Sequence, residues 1–148
     1  MSFDGPMHLL CDLAEEKLKK TTRHLGKMQQ EYQVAQKQLK QLEEYQSDYQ
    51  QKLYSQMHLQ GVSANTWINQ QSFIDALGKV VCKHNGNVEK LRMQVNDAVM
   101  NWRGDKRRLN AFETLESRAV EAHRLVQNKY EQKLMDEFAQ RSTAERGL

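Results

Sequence analysis

Residues 53–74 read LYSQMHLQGVSANTWINQQSFI, and they contain a break at Gly61 between two long runs of heptad-spaced apolar residues. The runs cover about 7–56 and 67–116, and in both of them apolar or small residues recur at alternating intervals of three and four; the seam positions of the second run begin at Trp67. Such spacing is typical of helices that pack along a narrow seam. Since the only proline is Pro6, the sequence predicts an all-α fold in which two long helices form an antiparallel coiled-coil hairpin.

The two runs also predict a register. If the chain folds back at Gly61, each a position of one helix faces a d position of the other at a constant sum of residue numbers. Small residues then tend to face large ones, as close packing of two helices requires. The predicted layers are Tyr49 with Ile74, Leu42 with Val81, Ala35 with Val88, Met28 with Val95, Leu25 with Ala98, Thr21 with Trp102 and Cys11 with Phe112.

Capping residues indicate where the helices begin and end. Gly61 suits the left-handed conformation that ends a helix, and Ser63 or Asn65 can accept free amides at the start of the second helix. Asp4 and Pro6 fit the start of the first helix, because proline lacks a donor that the first turn does not use. The predicted boundaries are helix 1 at about 5–59, the turn at about 60–65 and a longer helix 2 at about 66–141, all within one domain of residues 1–148.

The composition is unlike that of an ordinary globular domain. The chain has 148 residues, of which 39% are hydrophobic and 28% charged, and its mean hydropathy is -0.86. A two-helix coiled coil fits these values, since it buries only a narrow stripe. We find no secretory signal and no apolar stretch near the roughly 20 residues of a transmembrane helix, so we expect a soluble, cytoplasmic protein without membrane insertion.

The sequence offers little for catalysis. Two packed helices provide no sheltered pocket in which reactive groups converge, and no phosphate-binding loop, nucleophile elbow or Cys-x-x-Cys pair occurs. The five histidines lack the spacing of metal ligands, and Cys11 and Cys82 are expected to be free thiols. We therefore expect a protein that is not an enzyme, with no catalytic residue, no cofactor and no metal.

One basic run raises the question of nucleic acid. Arg103, Lys106, Arg107 and Arg108 lie close together, and the chain carries a net charge of +3. Only one aromatic neighbour, Trp102, is present, and the seam uses it. A solvated helix face is therefore favoured over a nucleic-acid site, and an acidic protein partner stays open.

Two apolar surfaces are not used by the seam. The first lies near the turn, where the g positions Gln38, Tyr45, Phe73 and Val80 widen the stripe on one flank. Exposed aromatic residues favour a docking site, although a third helix or a second copy of the chain is an alternative. The seam residues beside them are Leu42, Tyr49, Leu77 and His84.

The second surface follows from the lengths of the two helices. In the predicted register the start of helix 1 faces helix 2 near residue 116. An apolar stripe nevertheless continues along helix 2 beyond that residue. A lone helix of this composition is marginal in water, so this part is either frayed or held by a partner, and we favour a partner. The stripe consists of Leu115, Ala119, Ala122, Val126, Tyr130, Leu134 and Phe138.

Several segments together resemble the FliJ family of flagellar export proteins. The likeness covers nearly the whole chain, including its length and the place of the turn. No single segment is diagnostic, but a tryptophan after the turn combined with the C-terminal stretch DEFAQR is uncommon. The segments are Asp12-Leu13-Ala14-Glu15, Gln38-Leu39-Lys40 with Tyr45-Gln46 and Tyr49, Trp67-Ile68-Asn69, Trp102-Arg103 and Met135 to Arg141.

The resemblance implies a non-enzymatic, stalk-like component of the flagellar type III export apparatus. Its implied partners are the hexameric export ATPase, the cytoplasmic domain of the export gate protein FlhA, and export chaperones. Its implied location is the cytoplasm, peripherally at the inner face of the cell membrane, as a monomer that binds no nucleic acid. The residues matching the family's gate-binding surface are Gln38, Leu42, Tyr45, Tyr49, Phe73, Leu77, Val80 and His84. By analogy with rotary stalks, the candidates for ATPase binding are Leu134, Phe138 and Arg141.

Two other functions stay open on the sequence alone. One is the equivalent stalk protein of a virulence type III secretion system, which has the same shape and the same types of partner. The other is a structural coiled coil that self-associates through its exposed stripe. A rod that binds nucleic acid is a more distant alternative.

Overall fold

The computed structural model describes residues 5–146, and its regular structure is helical throughout. Helix α1 comprises Pro6–Gln60 and helix α2 comprises Ala64–Arg146, with lengths of 55 and 83 residues. No strand occurs between residues 5 and 146. The prediction of an all-α antiparallel hairpin with a longer second helix is confirmed. Asp4 lies outside the described residues, as do the two ends of the proposed domain 1–148.

Contacts divide the chain into two compact units. One unit consists of Met1–Lys19 with Gly104–Leu148, and the other of Lys20–Arg103. We call them the terminal unit and the turn unit. Each contains parts of both helices, and each is described by itself below. The prediction of one domain for residues 1–148 stays a prediction.

The turn has the predicted cap chemistry. Gly61 has a φ of 63°, in the left-handed region where a side chain would be strained. The amide of Thr66 donates to the hydroxyl of Ser63 at 3.3 Å, and the amide of Trp67 donates to the carbonyl of Ser63 at 3.0 Å. Ser63 is therefore the cap of α2, whereas Asn65 already lies within the helix.

The start of α1 relies on a backbone carbonyl. The Gly5 carbonyl accepts the amides of His8 at 3.1 Å and Leu9 at 3.4 Å. Pro6 is the first helical residue, where its missing donor costs nothing.

The far end of α2 and its interior are more regular than the sequence indicates. The helix extends to Arg146, beyond the predicted end near residue 141. Asn85, Gly86 and Asn87 are weak helix formers that favour a bend, yet α2 continues through them without interruption. Hydrogen bonds to both neighbouring turns keep weak formers helical inside a long helix.

The seam is narrow, as expected for two helices. Among residues 5–146, the buried residues of the turn unit are Ala35, Leu53, Ile74, Val88 and Ala98, and those of the terminal unit are Cys11, Ala14 and Leu109. Every other predicted seam position is half-buried, with the exception of Trp67, which is 37% exposed.

Side-chain contacts between the helices agree with the predicted register. In the turn unit Tyr49 contacts Phe73, Gln38 contacts His84 and Thr22 contacts Trp102. In the terminal unit Lys17 contacts Asp105 and His8 contacts Glu116. Each pair lies one residue from the predicted pairing, because each contact joins a seam position of one helix to a position beside the seam on the other helix.

Candidate binding surfaces

The eight residues predicted near the turn form a surface in which exposed and half-buried side chains alternate. We call it the turn-side surface. Its apolar g-position members are exposed, with Tyr45 at 54%, Phe73 at 44% and Val80 at 48%. The remaining members are exposed Gln38 and half-buried Leu42, Tyr49, Leu77 and His84.

Aromatic contacts organise the centre of the turn-side surface. The ring centroids of Tyr49 and Phe73 lie 4.8 Å apart at an interplanar angle of 51°, within the range of favourable tilted pairs. Tyr45 lies 6.5 Å from Tyr49 along α1. Tyr49 therefore supports an exposed aromatic side chain on each helix and presents both on one flank.

A polar contact completes the surface on the side away from the turn. The Nε2 atom of His84 lies 3.4 Å from Oε1 of Gln38, so a neutral or protonated imidazole with a proton on Nε2 can donate to this amide. The contact joins the helices beside the apolar residues. It leaves polar atoms at the rim, as protein-binding surfaces commonly do.

Two further features near the turn were not predicted. A shallow groove continues from Tyr45 and Tyr49 along α1 between polar side chains; it is lined further by Asp48, Gln51, Lys52, Ser55 and Gln56. On the other flank a smaller depression lies among exposed Tyr54, Met57 and Trp67; it is lined also by Gln50, Leu53, Gln71 and Ile74. An inspection of e positions as well as g positions would have found the second feature.

The apolar stripe at the end of α2, here the C-terminal stripe, is exposed along its length. From residue 117 to residue 146 only Ser142 is even half-buried. Val126 is 67% exposed, Tyr130 63%, Leu134 47% and Phe138 75%, and Arg141 is also exposed. The stripe thus offers large apolar side chains at helical spacing, which suits docking into a hydrophobic groove.

In the terminal unit, a polar cluster surrounds a buried thiol. Glu116 accepts a hydrogen bond from Cys11, which together with burial raises the pKa of that thiol to about 11. The Cys11 thiol and His8 in turn lower the pKa of Glu116. His8 lies 3.4 Å from Glu116 and 3.5 Å from Asp12. A protonated, buried thiol is a poor nucleophile, so the cluster is suited to structure rather than to catalysis.

Comparison with known proteins identifies the family. A family model described as "Flagellar FliJ protein" matches residues 3–148. The chain belongs to the FliJ family. It is similar to the flagellar FliJ protein of Escherichia coli (strain K12), with 40% identity over 142 residues, and to that of Salmonella typhi, with 39% identity. Each comparison covers 96% of this chain and 96% of the relative.

Membership of the FliJ family confirms the resemblance noted from the sequence. The word "flagellar" in the family description and in both relatives' names favours a flagellar role over a virulence one. No helix among residues 5–146 combines the length and the apolar character needed to cross a bilayer. Within the same residues, no cluster of His, Cys, Asp or Glu has the arrangement of a metal site.

Proposed function

We propose that this FliJ family member is a non-enzymatic coupling component of the flagellar type III export apparatus. Its turn-side surface binds the cytoplasmic domain of FlhA, and its C-terminal stripe binds the hexameric export ATPase. It also assists delivery of substrates and their chaperones, and it works at the inner face of the cell membrane. The observation that carries the proposal is the turn-side aromatic surface in a chain whose family is flagellar.

Gate binding is supported by the cost of exposing aromatic side chains. Tyr45 and Phe73 keep about half of their surface in water, although both rest on Tyr49 and are held in place by it. Aromatic residues that are already ordered lose little conformational entropy on binding, which is typical of binding hot spots. Gln38 and His84 supply a polar rim beside them.

The gate proposal is tested by a binding measurement with a matched control. Replacement of Tyr45 and Phe73 by alanine should weaken binding to the FlhA cytoplasmic domain at least about tenfold. Tyr54 and Ile68 are exposed at 67% and 58% and lie outside the turn-side surface, so their replacement by alanine should leave affinity nearly unchanged. Equal losses in both variants, or none in the first, would contradict the assignment of this surface.

ATPase binding is supported by the exposure and spacing of the C-terminal stripe. Leu134, Phe138 and Arg141 follow one another at intervals of four and three, so they share one side of α2. All three are exposed. Phe138 alone leaves 75% of its surface in water, and insertion into a groove between ATPase subunits would remove that surface from solvent.

The ATPase proposal is tested by hydrolysis and ring formation. Substoichiometric amounts of this protein should raise the ATPase rate of the purified export ATPase or its fraction in hexamers. Replacement of Phe138 by alanine should reduce the effect, whereas replacement of Met100, which is 70% exposed, should not. A protein without effect over a broad concentration range would refute the coupling role.

Self-association is a second candidate function of the C-terminal stripe. The same exposed Val126, Tyr130 and Phe138 that suit an ATPase groove also suit a second copy of the chain. Light scattering over a range of concentrations separates the two. A protein that stays monomeric at all concentrations favours ATPase binding as the role of the C-terminal stripe. A dimer that is lost on replacement of Phe138 favours self-association.

A further inference from the structure

Over the stretch between Glu16 and Glu44, the outward side of α1 carries positive charges without any negative ones. Between Lys17 and Leu42 the only acidic residue of α1 is Glu31, which occupies a g position beside the seam. The side opposite the seam is free of acidic residues from Glu16 to Glu44. Its exposed residues, here the basic face, are Lys20, Arg23, Gly26, Lys27, Gln30, Gln33, Val34, Lys37, Lys40 and Gln41.

The positive charges of the basic face form no ion pair within the described residues, although Glu16 and Glu44 lie one helical turn beyond Lys20 and Lys40. Among residues 5–146, no ion pair involves Lys20, Arg23, Lys27, Lys37 or Lys40. Lys20 precedes Arg23 by three residues and Arg23 precedes Lys27 by four, so like charges are neighbours on the helix surface. Neighbouring like charges destabilise a helix.

The outward side of α2 in the turn unit has a different charge pattern. It carries Lys79, Lys83 and Lys90 together with Glu89 and Asp97, so the signs are mixed. Glu89 accepts hydrogen bonds from Arg92, which lowers the pKa of Glu89. An ordinary solvated face of this chain thus alternates its charges, and the basic face departs from that pattern.

A glycine interrupts the basic face where its positive charges are densest. Gly26 lies between Arg23 and Lys27, and a Cβ atom added to it would meet nothing within 4 Å. Packing therefore does not require glycine here, although glycine is a much poorer helix former than alanine. The missing side chain leaves a shallow depression, lined further by Gln29, Gln30, Gln33, Val34 and Lys37.

We propose that the basic face is a docking surface for an acidic α-helix of a partner protein, with Gly26 as the point of closest approach. Lys20 to Lys40 covers roughly 30 Å of helix, which matches about five turns of a partner helix with Asp or Glu on one side. The glutamine amides can donate to carboxylates and accept from the partner's polar groups. The basic face shares no residue with the turn-side surface or with the C-terminal stripe.

The chemistry of the basic face favours a protein over other polyanions. It has no aromatic residue on which bases could stack, and only Arg23 could make a bidentate contact with a base edge. Its single large apolar side chain is Val34, so it has no wedge to insert into a bilayer. Lysines and amides on a straight helical side suit carboxylates along another helix.

The test uses the full-length protein and a fluorescent helical peptide of about 20 residues with glutamates along one side. Fluorescence anisotropy should detect binding that weakens as salt is raised. Lys20→Gln, Arg23→Gln and Lys27→Gln together should weaken it about tenfold, a loss of about 1.4 kcal/mol shared among three exposed ion pairs. The matched variant Lys79→Gln, Lys83→Gln and Lys90→Gln has the same net charge and should stay within about twofold.

Gly26 provides a second, independent variant. Gly26→Gln fills the depression with a good helix former, so it should raise helix stability while it weakens peptide binding. Gly86→Gln should raise stability without changing binding, since Gly86 lies on α2 and also has nothing within 4 Å. Equal losses of binding in the two lysine variants would reduce the effect to net charge and overturn the proposal. Tighter binding to anionic vesicles or duplex DNA, lost in the Lys20, Arg23 and Lys27 variant, would mean that the basic face binds a lipid surface or nucleic acid and would overturn the proposal of a protein partner.

Discussion

The rings of Tyr49 and Phe73 lie 4.8 Å apart and join α1 to α2 at the centre of the turn-side surface. This pair should contribute to stability as well as to binding. In a double-mutant cycle with alanine we expect a coupling of about 0.5 to 1.5 kcal/mol, measured by denaturant unfolding. Tyr54 and His58 form a control pair, with centroids 4.6 Å apart on one helix, and should couple by no more than about 0.5 kcal/mol. A Tyr49–Phe73 coupling no larger than this would contradict the supporting role of Tyr49.

The glycines of α2 and of the turn should respond to alanine with opposite signs. Gly86 lies in a helix with free space around it, so Gly86→Ala should raise the free energy of unfolding by up to about 1 kcal/mol. Gly61 has a φ of 63°, so Gly61→Ala should lower it by about 1 kcal/mol. Thermal melting followed by circular dichroism measures both changes. Stabilisation by Gly61→Ala would refute the cap assignment.

The two cysteines should differ in reactivity. Cys82 is exposed, whereas Cys11 is buried and its thiol has a pKa of about 11. At pH 8 only about one thousandth of Cys11 is thiolate, the form that reacts with iodoacetamide. Labelling followed by mass spectrometry should therefore modify Cys82 at least about tenfold faster. Glu116→Gln removes the carboxylate that holds the thiol proton and should speed the labelling of Cys11 alone.

Glu116 should make stability depend on pH in the acid range. The thiol of Cys11 and His8 lower its pKa in the folded protein below the usual 4.5. A lowered pKa stabilises the fold above the unfolded value of 4.5, and that contribution is lost as the pH falls through the folded value. Unfolding curves at a series of pH values should show a flatter acid dependence for Glu116→Gln than for the unmodified protein. Glu121→Gln, which contacts only Arg124 of its own helix turn, should keep the original slope.

The thiol of Cys11 should make stability depend on pH in the alkaline range. Its pKa is raised to about 11 from a usual 9.0, so its contribution is complete below pH 9 and is lost as the pH rises toward 11. Cys11→Ser should therefore alter the alkaline limb of the stability profile more than the neutral part. An unchanged alkaline limb would mean that the unfolded chain holds this proton equally well.

The seam was predictable because burial follows the heptad period. Ala35, Val88 and Ala98 are buried where spacing assigns them, and cross-helix contacts follow the register fixed by Gly61. The exposed g positions of the turn-side surface were predictable for the same reason, since they are what the seam leaves over. The partner that binds them was not predictable from spacing, because helical periodicity specifies which side chains are exposed and not what binds them.

Side-chain contacts beyond the seam were not predictable from spacing. Trp102 shares a predicted layer with Thr21, and its indole N–H donates to the hydroxyl of the neighbouring Thr22 at 2.9 Å. This hydrogen bond depends on rotamers, which the heptad does not specify. The hydrogen bond from Cys11 to Glu116 was missed for the same reason. Trp67 was assigned to the seam but is partly exposed, because it lies at the start of α2, where few side chains of α1 remain to cover it.

The fixed pairing across the seam limits how the length of this protein can change. One residue inserted into α1 before Gly61 would rotate every preceding side chain by about 100° relative to its partner and expose half of the seam. Only whole heptads, inserted in both helices at paired positions such as beside Ala35 and Val88, would keep the layers matched. Residues 117–146 lie beyond the last predicted layer of the seam, so insertions there escape this rule. Length variation in relatives should accordingly concentrate at the C-terminal end of α2.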